Sequence, residues 1–272
     1  MFFFVLIPAC VLFIGFAIMG ACIVISIFKV TCITAGKDDE IKLPIYVAIL
    51  LYIISLAFNV QFLFGLIINI LSILNFTIHV SLYLPIYISY AVGRCGIVSL
   101  FVSKLHYSFI GSYLQISFYK LLVISILSSI GLICVIIGLV LYFLLETLVV
   151  LALAGMYGVI DIITNIIMVR MFVTRLKQLK SHSIIDDSNQ VYTSLIKKHI
   201  LLSIITILST FIVVVISAVI YKVDIGSDTA IIWRIGYAID AAINMICVYL
   251  SMGFTKNKYK KYCRSFEQFL VR

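Results

Sequence analysis

Seven long apolar runs leave this chain few folds to choose from. They cover residues 2–28, 43–68, 78–102, 121–145, 148–169, 200–221 and 231–252. A helix needs about 20 apolar residues to cross the hydrocarbon core of a bilayer. Barrel strands would come as shorter, alternating pieces. The runs therefore predict an all-α membrane protein, one seven-helix domain over residues 1–272 with a basic tail at 253–272. Composition agrees: 64% of the residues are hydrophobic and 11% are charged, where a soluble domain carries about 25% charged residues. The run that begins at Phe2 lacks a basic start and exceeds a signal-peptide core, so it reads as a retained first span. Glu146 and Thr147 alone divide the fourth run from the fifth, which requires a tight turn between them.

Charge orients the spans. Counting connections in order, the first, third, fifth and the tail hold 17 of the 20 Lys and Arg residues. The positive-inside rule places those segments in the cytoplasm and the N-terminus outside. The net charge of +9 thus reflects cytoplasmic loops facing a lipid bilayer rather than a nucleic-acid surface. The sequon Asn75-Phe76-Thr77 falls in the second connection, on the predicted outside, and makes Asn75 a glycosylation candidate. The fifth connection, about 170–198, has a polar centre at 181–188. It reads either as a flexible linker or as a docking loop for a cytoplasmic partner. In the tail, Tyr259, Tyr262, Phe266 and Phe269 share a helical face beside Lys residues, the pattern of an interfacial eighth helix. Cys263 there is either a palmitoylation site or a free thiol. Nearly all of the seven Cys lie in apolar runs, and they imply no disulfide framework.

Three charges stand at mid-membrane positions inside spans: Arg94, Asp161 and Asp240. Such residues are costly in lipid and usually face the bundle interior. Asn165 and Asn244 each follow an Asp by four residues, hence on the same helical face. Asn59 and Gln61 add polarity to the second span. These residues predict a network of Arg94, Asn59, Asp161, Asn165, Asp240 and Asn244, with Arg94 paired to one of the two carboxylates. The network is either the bistable element of a switch or a fixed packing device. Pro8 and Pro85 are kink candidates. Tyr83, Tyr87, Tyr90 and Arg94 are candidates for a small-ligand pocket, with an interfacial aromatic belt as the plain alternative.

Seven spans, an outside N-terminus, a minimal ectodomain and a short basic tail resemble a G-protein-coupled receptor. Local stretches add to the likeness. Lys104-Leu105-His106-Tyr107-Ser108-Phe109 is similar to the region after the third span in divergent rhodopsin-like receptors of protists. Phe172-Val173-x-Arg175-Leu176-Lys177-Gln178-Leu179 and Ile243-Asn244-x-Ile246-Cys247-x-Tyr249-Leu250 are similar to the ends of their fifth and seventh spans. The chain departs from rhodopsin-like receptors at Ser103-Lys104-Leu105, where they have Asp-Arg-Tyr, and at Asn244-Met245, where they have Asn-Pro. It also lacks their third-span Cys pair. The resemblance implies a receptor in the plasma membrane that transduces an external small-molecule or other cue to a heterotrimeric G protein. It implies no cofactor, and Lys104, His106, Arg175, Lys177 and Lys198 would face the G protein.

Other classes fit less well. A retinal protein needs a Lys in the seventh span for its Schiff base, and 231–252 has none. No catalytic or metal-binding motif appears, so an enzyme is not expected. A secondary transporter using Arg94, Asp161 and Asp240 as an ion or proton relay is the alternative. The shared Asp-x-x-x-Asn-x-Ile-x-Val pattern of the fifth and seventh spans would suit it.

Overall fold

In the computed structural model, the backbone is described for residues 2–34, 45–74, 76–77, 80–109, 117–142, 147–182, 186–223 and 227–252. Seven α-helices fill these ranges: α1 (Phe2–Thr34), α2 (Ile45–Ile73), α3 (Leu84–Phe109), α4 (Phe118–Tyr142), α5 (Thr147–His182), α6 (Asp186–Val223) and α7 (Ser227–Ser251). A short 3-10 turn, Val80–Tyr83, leads into α3. No strand occurs among the described residues. Asn75 and the tail with Cys263 lie outside the described residues.

Four helices contain stretches long and apolar enough to cross a membrane: Leu6–Phe28, Tyr46–Ile73, Leu84–His106 and Ile196–Ile216. Their outward faces are apolar, with Val11, Ile25, Leu56 and Phe211 all exposed. Large exposed aliphatic side chains on every side are what lipid, not water, tolerates. The chain is thus a membrane-embedded helical protein.

Each helix packs against its neighbours in sequence, and α7 closes back onto α1 and α2. α3 touches α2, α4, α5 and α7, so it runs through the middle. Small residues permit the close approach. A Cβ on Gly93 would lie 2.5 Å from Phe58 of α2, and one on Gly96 would lie 2.7 Å from Ile54. Such contacts bring backbones together where no hydrophobic effect separates helix from lipid.

The buried residues form two cores. One joins α1, α2, α3, α6 and α7 around Phe13, Phe58, Phe62 and Met245. The other joins α3, α4, α5 and α6 around Leu105, Leu121, Phe172, Leu176 and Ile196.

The second core corrects the predicted fifth connection. Helix α5 continues to His182 and α6 begins at Asp186, so 170–182 and 186–198 are helical rather than a loop. Hydropathy marks where lipid ends, not where a helix ends. Phe172 and Leu176, one turn apart, are buried while Lys177 stays exposed, and this amphipathic stripe carries the helix onward. Helix α6, at 38 residues, is about 57 Å long at 1.5 Å per residue, nearly twice the hydrocarbon thickness. Pro85 is also not a mid-span kink. It sits in the first turn of α3, where its missing N–H has no helical partner to lose.

Candidate functional site

The third, fifth, sixth and seventh helices meet at one arginine. Tyr83, Tyr87, Tyr90 and Arg94 recur at intervals of four, three and four residues, which sets them along one face of the chain entering α3. That face meets α7. Arg94 is 1% exposed, and its guanidinium bonds the Asp161 carboxylate of α5. Its other terminal nitrogen lies 3.8 Å from Oδ2 of Asp240 on α7, an ion pair without a hydrogen bond.

Asp240 is wholly buried, and three hydroxyls surround it. Tyr90 donates to Oδ2 at 2.6 Å. Ser209 lies 2.6 Å and Thr210 3.1 Å from Oδ1, both from α6. Each of these two hydroxyls also lies within reach of the Thr206 carbonyl, and for Ser209 the carboxylate is clearly the nearer acceptor. One guanidinium and two carboxylates, one of them ringed by hydroxyls, form a network in which both acids and most donors are satisfied. Buried charges persist only when paired and bonded in this way.

The structure thus brings together Arg94, Asp161 and Asp240, as the sequence predicts, and pairs Arg94 with both acids. It adds Tyr90, Ser209 and Thr210. The Asn residues behave differently. Asn165 and Asn244 donate to the carbonyls of Asp161 and Asp240, four residues back in their own helices, at 2.9 and 2.7 Å. They flank the network without bridging helices. Asn59 is a correction: it donates to the Ser55 carbonyl and its amide lies against Gly20 of α1, away from Arg94. Gln61 and Asn69 are buried on α2 with no partner among the described residues.

The pocket prediction is also revised. Tyr90 and Arg94 belong to the packed network. Tyr87 and Tyr90 stack edge-on against Tyr237 of α7, with ring centres 6.5 and 4.9 Å apart. Tyr83 instead meets Arg234 of α7, whose guanidinium donates to the Tyr83 hydroxyl at 3.0 Å and sits 5.6 Å from the ring centre. Arg234 counts among the connection charges when basic residues are tallied by loop, yet it is 7% exposed inside the bundle.

No protein-family model, curated protein or solved structure matches the chain.

The basic end of the bundle is tied together as well. Lys104 of α3 donates to the Ser251 carbonyl at 2.8 Å and lies 3.4 Å from the His199 ring of α6. Lys198 reaches the Met252 carbonyl at 3.5 Å. The last carbonyls of α7 have no helical donors, and cations suit that end of a helix. Of the residues expected to face a G protein, Lys104 and Lys198 therefore turn inward. His106 is half-buried, Arg175 is half-buried and donates to Gln178 at 3.0 Å, and Lys177 is exposed.

Between the network and this end lies a cavity of about 20 Å³, bordered by Asn165, His199, Ser203 and Thr206 among apolar neighbours. That is space for about one water. Among the described residues no three His, Cys, Asp or Glu side chains converge as a metal site requires.

Proposed function

We propose that the protein is a seven-span receptor of the plasma membrane, N-terminus outside, which relays an external cue to a heterotrimeric G protein. The observation that carries this reading is the single arginine shared by two carboxylates on different helices. Arg94 bonds Asp161 and stands 3.8 Å from Asp240. A small shift of α3 would exchange the closer partner, which would give the network the second arrangement that a switch requires. The lysines holding the end of α7 then act as the contact that gives way when the basic face opens. Coupling is tested by co-expression with G proteins and measurement of nucleotide exchange. Exchange above background supports the receptor; no exchange with any G protein counts against it. An Asp240→Asn variant that signals normally at normal surface expression would make the network a packing device.

The two carboxylates brought to one buried arginine favour one second reading, a transporter that relays protons or ions through Asp161 and Asp240. Substrate uptake by proteoliposomes, lost in Asp161→Asn, would select it.

A further inference from the structure

Arg234 is the buried charge that the network leaves out. It projects from α7 among phenols and a thiol: Tyr83, Tyr87 and, from α1, Cys10. The interior ion pairs of Arg94 engage Asp161 and Asp240, and Arg234 shares neither. Among the described residues, its one hydrogen bond goes to the Tyr83 hydroxyl. Its Nε is buried with no acceptor among the described residues. A guanidinium offers five N–H donors in a planar fork. A cation held inside a membrane bundle is normally matched by a carboxylate, as Arg94 is, or marks a place where an anion arrives. It does not snorkel to the lipid surface, because it is 93% buried.

We propose that Arg234 anchors a site for the oxyanion head of an amphiphile, a carboxylate or a phosphate on an apolar body. This rests on the receptor reading and supplies the chemistry of its ligand. The fork of Arg234 receives the two oxygens side by side. Tyr83 orients the guanidinium through its hydroxyl and its ring face. The apolar body lies along the aromatic column of Tyr87 and Tyr237, which leads down to Tyr90 and the Asp240 carboxylate. Filling the outer site thereby presses on the residues that hold the Arg94 network. A small hydrophilic anion gains nothing from such walls, whereas an amphiphile keeps its body in apolar surroundings throughout.

The test uses the full chain in phosphatidylcholine nanodiscs, with the thermal midpoint read against decanoate, decyl phosphate and neutral decanol. A parallel set of nanodiscs contains phosphatidic acid. The expected result is a saturable rise with an anionic probe and none with decanol. Arg234→Gln should weaken that response about tenfold or more, and Arg234→Lys, which keeps charge but not the fork, should fall between. Without ligand, Arg234→Gln should fold with a midpoint no lower than the parent. A rise in neutral nanodiscs with added probe identifies a free amphiphile; a rise only with phosphatidic acid identifies a lipid headgroup. The proposal is overturned if decanol matches the anions, if Arg234→Gln binds as well as the parent, if no anion shifts the parent, or if Arg234→Gln fails to fold. No G protein enters this assay, so failed binding leaves coupling open, and failed coupling leaves the site open.

Discussion

Two arginines lie inside the bundle, and their surroundings differ in kind. Arg94, in the middle of α3, is enclosed by the carboxylates of Asp161 and Asp240, with Tyr90, Ser209 and Thr210 completing the shell. Arg234 is about 9 Å of helix rise from Asp240 along α7, at 1.5 Å per residue, and has one phenol. The first site is closed: both terminal nitrogens of the guanidinium face a carboxylate, one bonded to Asp161 and one 3.8 Å from Asp240. The second is open. A closed ionic site couples the helices that share it, while an open one leaves a donor for an acceptor that arrives from elsewhere. Under the proposed receptor, the same side chain serves switching in one place and recognition in the other.

The largest expected effect separates the two most directly. Arg94→Gln leaves two carboxylates facing each other in the bundle without a cation. Breaking a buried pair by removing one partner costs about 3–5 kcal/mol, and the variant should show a large loss of thermal stability in detergent or fail to accumulate. Arg234→Gln removes a charge that no acid among the described residues offsets, so ligand-free stability should stay level or rise. If the two variants lose similar amounts, the distinction between closed and open sites is gone.

Much of the closed site was readable from residue order alone. Arg94, Asp161 and Asp240 stand out because each interrupts an apolar run, and lipid makes such an interruption costly. Ser209 and Thr210 carry no comparable signal. Hydroxyls in membrane helices commonly bond their own helix, as Ser72 does to Ile68 and Thr164 to Ile160, so nothing marks the pair that turns to Asp240. Asn59 misleads for the opposite reason: it is polar and intramembrane, yet its amide fills the gap above Gly20. Arg234 was hidden by charge counting, which assigns a cation near a span's edge to the loop. The seven helices follow from hydropathy, but the reach of α5 and α6 beyond the apolar runs does not. Its one trace is the spacing of Phe172 and Leu176, a single helical turn apart.

A middle-sized effect should sharpen the picture within the closed site, because its two acids are held differently. Asp161 depends on Arg94 for its charged partner, while Asp240 has three hydroxyls besides. Asp161→Asn should cost about 2–3 kcal/mol, in the range for a hydrogen bond to a charged group with a buried partner left behind. Adding Arg94→Gln to Asp161→Asn should cost clearly less than the sum of the two, since the second change removes the orphan left by the first. Additive losses in a thermal-unfolding cycle would mean that the two side chains do not share one interaction. Tyr90→Phe should cost less again, about 1.5 kcal/mol, because two hydroxyls still reach Asp240.

The smallest effect belongs to cations that reach the end of a helix. Lys104 reaches the Ser251 carbonyl at 2.8 Å, and Lys198 reaches that of Met252 at 3.5 Å. Both sit where the partial negative charge of α7 gathers, an interaction of about 0.3–1 kcal/mol that fades within one turn. Lys104→Met should therefore cost under about 1 kcal/mol. The change should be local: faster amide hydrogen exchange in the last turn of α7, with exchange around Asp240 unaltered. That separation distinguishes the two ends of α7. A lysine that merely filled space would leave exchange at Ser251 and Met252 unchanged. One that belonged to the Arg94 network would loosen Asp240 as well. Exchange confined to the last turn would identify Lys104 as a releasable clasp, placed on α3 and closed on α7, at the face where a partner would have to enter.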